Sequence, residues 1–277
     1  MARIVDGAFK EVVVPRLVSS LWLSPPLDLT SKIERSIDSA RDLASARGTG
    51  YIFFRADDVA APGIPFARLM ELFTRYSVPL SLAVVPAWLT GPRWQELKEL
   101  AHRAPSLWCW HQHGWRHINH EVQGEKQEFG PSRSPSRIRE DLIRGRHRLE
   151  VYMEQDFYPV FTPPWNRCDL TTLKLLKGLG YHAVSRAHAS LPPTPEGLPD
   201  FPVNVDLHTR KEANPVVDWD HLFAELSHAV ASGLCGIMIH HRRMNDVAFD
   251  FLELLLQKLS RHQRFRIVHF RDLDAVP

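Results

Sequence analysis

"SLWCWHQHGWRHINH", residues 106–120, runs from an apolar segment straight into a stretch that holds His111, His113, His117 and His120. A short apolar run rich in aromatic residues reads as a buried strand, and "SLWCW" (106–110) fits that description. The chemistry therefore begins where the strand stops. The same order recurs along the chain: "RADD" follows "YIFF" (51–54), "TPPWNR" follows "YPVF" (158–161) and "HHRR" follows "GIMI" (236–239). In a parallel α/β fold the loops after the strands share one face, and that face is where active sites are built.

The remaining sequence supplies the fold that this order requires. "PLSLAVV" (79–85), "HAVS" (182–185), "FPVNV" (201–205) and "FRIVHF" (265–270) read as further strands. Segments 31–47, 64–76, 91–104, 135–153, 169–179, 219–232 and 246–261 carry the spacing of amphipathic helices. Strand then helix, repeated, implies parallel strands covered by helices, either as a closed or nearly closed barrel or as an open doubly wound sheet. Two long segments, "NHEVQGEKQEFGPSRSPS" and "LPPTPEGLPD", read as excursions over the strand-end face rather than as linkers, so a single domain is expected over 1–277.

Composition narrows the function classes. With 277 residues, 44% of them hydrophobic, the chain can bury a large core. The 34 basic and 32 acidic residues leave a net charge of +2, too little for a nucleic-acid footprint. Cys109, Cys168 and Cys235 have no paired spacing, which fits a reducing compartment and no disulfide. Glu11, Pro15 and Arg16 interrupt the start, and no segment approaches the ~18 uncharged apolar residues of a spanning helix. A soluble, cytoplasmic protein with no membrane partner is the expectation.

At the strand ends, the candidate residues carry different weights. Adjacent carboxylates such as Asp57 and Asp58 are ordinarily a solvated turn or a helix cap, but two at the end of one buried strand need a cation or divided roles, because close carboxylates resist joint ionisation. His113 and His117, spaced i and i+4, share a face if the segment makes a helical turn, and two histidines with one carboxylate are a common catalytic zinc set. Alternation along a strand lets only one of His240 and His241 point into a barrel, and histidine's pKa near ~6.5 suits the inward one to protonate a leaving group. Trp165, in the proline-stiffened "TPPWNR", and Trp115 could face a substrate, although tryptophan is usually core.

Asp57-Asp58, His113-x-x-x-His117, "FTPPWN" and "IMIHH", in this order from about residue 50 to 270, resemble the polysaccharide deacetylases with a NodB homology domain, carbohydrate esterase family four. The resemblance implies a distorted single-domain (β/α) barrel of about seven parallel strands and a divalent metal, zinc first. It makes Asp58, His113 and His117 the metal ligands, Asp57 the catalytic base and His240 the catalytic acid, with the backbone N–H near Trp165 in an oxyanion hole. The substrate implied is an N-acetylated sugar or glycan.

Several positions depart from the family pattern. Its third motif opens with an arginine that orients the base, and Thr162 stands there, which leaves Arg167 or Arg55 for that task. Gly114 replaces the hydroxyl residue after the first histidine, "DDVA" replaces "DDG", and His241 stands where an aspartate often follows the acid. The aspartate that tunes the acid has Asp206 as its candidate and Asp218 as the rival. Trp165, Thr162, Trp115 and Arg167 are the expected substrate-side residues. His111 is an alternative ligand, and His120 belongs to a lid over 119–134. A non-sugar amide as substrate, or an inactive glycan-binding barrel, are the competing functions.

Overall fold

The computed structural model describes residues 18–44, 50–262 and 264–275. The start of the chain, the last turn of the helix expected at 31–47 and the final two residues lie outside them. Among the described residues eight strands, all paired in parallel, form one sheet: β1 (Gly50–Val59), β2 (Leu80–Val84), β3 (Trp108–His113), β4 (Phe157–Thr162), β5 (Ala183–Val184), β6 (Val205–Asp206), β7 (Leu234–Ile239) and β8 (Phe265–Val268). Their order is β5-β4-β3-β2-β1-β7-β6, with β8 against the first half of β1. Between β5 and β6 two isolated parallel bridges, Val184 to Asp200 and Ala187 to Val203, replace a regular ladder. The sheet thus curls into the distorted barrel expected, with seven strands on the path and β8 beside it.

Helix α1 (Leu29–Ala44) precedes β1, and α2 (Ile64–Arg75), α3 (Gly91–Ala101), α4 (Pro135–Met153), α5 (Leu170–Gly178), α6 (Pro215–Ala231) and α7 (Asp246–Ser260) lie between strands in sequence. Local chemistry sets where they begin. The side chains of Thr90, Asp169, Asn214 and Asn245 accept N–H groups at the starts of α3, α5, α6 and α7. Asn214 followed by Pro215 at the first helical position starts α6 four residues before the 219 expected from periodicity alone. An additional short helix, α8 (Phe270–Asp274), follows β8 and ends the strand before the expected 270.

Alternation along the strands sorts the core into an outer and an inner layer. Ile52, Phe54 and Ala56 of β1, Leu80, Leu82 and Val84 of β2 and Trp108 and Trp110 of β3 face outward into one cluster with the helices. Their neighbours point inward, and the inner face changes character from bottom to top. Phe53, Cys109, Val160, Ala183 and Met238 pack with Phe270 in an apolar floor. Two residues further along, the same strands present Arg55, His111, Thr162, Ser185 and His240, and two beyond those come Asp57 and His113. A period of two thus carries each strand from floor to polar mouth, and the site is built at the C-terminal ends.

Candidate metal centre

Strict alternation would send adjacent carboxylates to opposite faces, so Asp57 and Asp58 cannot both reach the mouth from a regular strand. A register shift between Ala56 and Val59 in the pairing of β1 with β2, with Asp58 at φ 62°, solves this. The bulge turns Asp58 back toward β3. Its Oδ1 lies 3.5 Å from His113 Nε2 and 3.3 Å from His117 Nε2. "RADD" is therefore the bulged end of β1 rather than the loop after it.

His113 ends β3, and its Nδ1 donates to the Thr162 carbonyl at 3.0 Å. A carbonyl only accepts, so Nδ1 carries a proton and Nε2 is the nitrogen turned to Asp58, donating to the carboxylate while the ring is protonated and offering its lone pair to a cation when it is not. His117 reaches the same point by a route that spacing did not foresee. The segment is no helical turn: Gly114 has φ 59° and His117 φ 60°. Three successive N–H groups, of Trp115, Arg116 and His117, donate to the Glu128 carboxylate at 3.1, 2.6 and 3.1 Å. A Cβ on residue 114 would lie 2.2 Å from Glu128 Oε2, so glycine is required there for space as well as for φ. Glu128 has no counterpart in the sequence reading, because thirteen residues, 115–127, separate it from Gly114.

Asp58, His113 and His117 thus form a group whose ligand atoms all lie within 4.8 Å of one another. Four-coordinate zinc with bonds of about 2.0–2.1 Å has donor atoms roughly 3.3–3.4 Å apart along each edge of its tetrahedron. The two carboxylate-to-imidazole separations match that edge, and the donor set fits a divalent cation. Burial works to raise the Asp58 pKa, but the His113 hydrogen bond and the charges of His240, His117 and His113 hold it well below the carboxylate range.

Asp57 points inward two residues above Arg55. Arg55 Nε and Nη2 donate to Asp57 Oδ1 and Oδ2, both at 2.8 Å, while its remaining N–H groups reach the Ser185 carbonyl and hydroxyl and Asn166 Oδ1. Burial pushes the Asp57 pKa up, and Arg55, with His113 and His240, more than offsets it, so the carboxylate stays ionised. Of the two arginines considered from sequence, Arg55 orients Asp57; Arg167 pairs with Glu125 at 2.5 Å on the exposed rim.

At the end of β7, His240 turns inward, near enough for its charge to act on both aspartates, while His241 packs outward edge-on to Phe66. The Asp206 carboxylate is engaged within its own turn, where it accepts the N–H groups of His208 and Thr209 and the Thr209 hydroxyl. A carboxylate followed by two such donors closes its own turn. The rival Asp218 pairs with Arg210. The group at His240 is instead His208, whose Nδ1 accepts the His240 backbone N–H at 3.1 Å.

His208 is fully buried, and burial, then the charge of His240, keeps its pKa well below the ordinary value. A histidine that stays neutral when folded but protonates when unfolded loses its stabilising contribution as pH falls below about 6.5, by up to about 1.4 kcal/mol per pH unit. Urea denaturation between pH 7 and 5 should show that slope, and His208→Gln should flatten it. An unchanged slope in the variant would assign the acid sensitivity elsewhere.

The other candidates fall into two places. Trp165, at φ 56°, stands edge-on to His117 with ring centroids 4.5 Å apart, and Trp88, which the sequence reading passed over, lies 5.8 Å from the same ring. Thr162 is fully buried, its hydroxyl bonded to His111 Nε2 at 2.9 Å, so it lies behind the site and not on its substrate side. Trp115 packs against the outer cluster of Phe129, Phe161 and Tyr181, again away from the mouth. His111 shares the inward face with His113 but stands outside the ligand group, its pKa driven down to about 3 by burial and Arg55. His120 is exposed, its N–H bonded to the Gln127 carbonyl within the loop.

No model of a known protein family and no curated protein matches the chain. Solved structures do. A Mycobacterium smegmatis protein assigned by name to the polysaccharide deacetylases superposes with a TM-score of 0.64 at 15% identity, over 82% of this chain and 90% of its own. The fold is that of the polysaccharide deacetylases. The deacetylase fold also appears in a family 4 acetyl xylan esterase from Clostridium thermocellum, solved with a cobalt ion (TM-score 0.50, 13% identity, 82% and 93% covered). A third match is a mutant of a carbohydrate esterase family 4 pseudoenzyme with restored activity (TM-score 0.51, 14% identity, 82% and 68% covered). Among the described residues no helix is long and apolar enough to cross a membrane.

Proposed function

We propose that this chain is a divergent polysaccharide deacetylase of carbohydrate esterase family four. On this reading it is a single-domain, metal-dependent hydrolase that removes the acetyl group from an N-acetylated sugar or glycan. The observation that carries this reading is the convergence of Asp58, His113 and His117 beside an ionised Asp57 and an inward His240. The three ligands would hold a divalent cation, zinc first. When bound, that cation polarises the amide carbonyl and makes a water molecule acidic near pH 7.

The protein's own residues divide the proton work. Asp57, fixed by two hydrogen bonds from Arg55, accepts a proton from the attacking water. His240 donates one to the departing nitrogen, without which C–N cleavage would expel an amide anion. Water and amide become acetate and amine. Trp165 and Trp88 beside His117 offer aromatic faces to the apolar faces of a sugar ring. The pseudoenzyme among the structural matches keeps an inactive binding barrel in view, but Arg55 supplies Asp57 with the partner that Thr162 cannot, and binding alone requires neither Asp57 nor His240.

The test is acetate release from N-acetylglucosamine and its short β-linked oligomers by the zinc-loaded protein. The expected result is turnover that is lost in a His113→Ala, His117→Ala double variant. A protein that binds one equivalent of metal and releases no acetate from any of these substrates would sink the reaction while leaving the metal site standing.

A further inference from the structure

We propose that Glu128 is a positioning residue for the metal site: its buried carboxylate does for His117 what a helix does for an ordinary i, i+4 histidine pair. The proposal rests on the reading of Asp58, His113 and His117 as ligands. In a helix, backbone bonds from each turn to the next fix both histidines, and side-chain direction follows. Here the backbone between them is left-handed at Gly114 and again at His117, so no such bonds hold the second histidine. The three N–H groups of residues 115, 116 and 117 instead converge into a concave anion-binding nest, and the chain fills it with its own Glu128.

Two features mark this as more than a loop contact. Glu128 is 1% exposed, and no lysine or arginine side chain pairs with it among the described residues. Burying a carboxylate without a cation is costly unless other groups compensate, and the side-chain caps of the helices are either neutral, at Thr90, Asn214 and Asn245, or, at Asp169, only half-buried. A negative charge at this depth gains most when a cation is held by the turn it supports. The second feature is fit. Residue 114 can only be glycine while Glu128 is present, since its Cβ would meet Oε2 at 2.2 Å and Pro164 Cγ at 2.6 Å. Phe129, fully buried in the cluster with Ile138 and Leu142, anchors the loop that delivers the carboxylate. Metal affinity is thereby tied to the folding of the 118–134 loop.

The experiment is titration of the full chain with Zn²⁺ by calorimetry and with Co²⁺ by visible absorption, for the wild type, Glu128→Gln and Glu128→Ala. Thermal unfolding of the metal-free forms is measured alongside. Glu128→Gln keeps an acceptor for the N–H groups of Arg116 and His117 and removes the charge. It is expected to weaken metal binding by about 10–100-fold, the usual cost of losing a group that orients a ligand. The Co²⁺ spectrum should change while the metal-free unfolding temperature moves by only a few degrees. Glu128→Ala should weaken binding further; if it fails to fold, Glu128→Gln alone decides. Wild-type affinity and an unaltered Co²⁺ spectrum in Glu128→Gln would overturn the proposal with the metal site intact. Failure of the wild type itself to bind either ion would overturn the metal reading, and this proposal with it.

Discussion

Asp58→Asn is expected to abolish metal binding at micromolar concentrations and to lower acetate release by at least about a thousandfold, a loss of roughly 4 kcal/mol of transition-state stabilisation. Asparagine isolates the charge. It is nearly isosteric, and among non-glycine residues it is one of the few that tolerate the left-handed backbone found at Asp58, whose φ is 62°. The bulge should therefore survive. What disappears is the one anionic oxygen facing the His113 and His117 nitrogens at 3.5 and 3.3 Å. An amide presents a neutral oxygen or an N–H to the same point, and neither compensates a divalent charge. Metal content after dialysis, with acetate release on the same samples, checks the result. Stoichiometric metal together with turnover within tenfold of the wild type would remove Asp58 from the ligand set.

The site was legible from sequence where its chemistry obeys the strand period and hidden where it does not. Every strand expected in the sequence has a counterpart, because apolar runs two layers deep leave a local signal; β5 and β6 shrink to two residues each at the irregular side of the barrel. His240 rather than His241 faces inward, in step with Met238 two residues before it; alternation alone allowed one of the two, and the family resemblance chose His240. The same rule could have selected Arg55, which lies two residues before Asp57 on the same face of β1. It could not have placed Asp58, since a bulge is a tertiary event with no mark in "RADDV". HxxxH picked out two histidines that do come together with Asp58, but not by the route expected: spacing suggested a helix, and the structure uses a turn pinned by a distant carboxylate. Asp206 was misjudged because position after a strand says nothing of where a short side chain spends its acceptors. The hydroxyl and two N–H groups just beyond it claim them first.

Arg55→Met is the second change with a large expected effect, because it leaves Asp57 buried with its principal partner removed. Breaking a buried ion pair by deleting one member typically costs about 3–5 kcal/mol, since the surviving charge is neither solvated nor paired. The pH dependence gives the direction. In the wild type the Asp57 pKa is lowered, so its contribution to stability is present above the unfolded value of about 3.9 and is lost as pH falls through the folded value. Without the guanidinium, burial is left to dominate and the pKa rises above that of the unfolded chain. The variant then loses stability as pH rises past about 3.9, so its deficit against the wild type should widen from pH 4 toward neutrality. Urea denaturation at pH 5 and 8 measures the gap. The acidic limb of kcat/KM should move to higher pH in the same variant, because Asp57 must be ionised to accept a proton. Arg55→Lys separates charge from geometry. Its ammonium keeps Asp57 ionised but cannot reproduce the two-pronged fork that fixes the carboxylate, so the acidic limb should hardly move while kcat falls by about tenfold. Wild-type stability and an unshifted acidic limb in Arg55→Met would show that Asp57 is held by something other than its neighbour on β1.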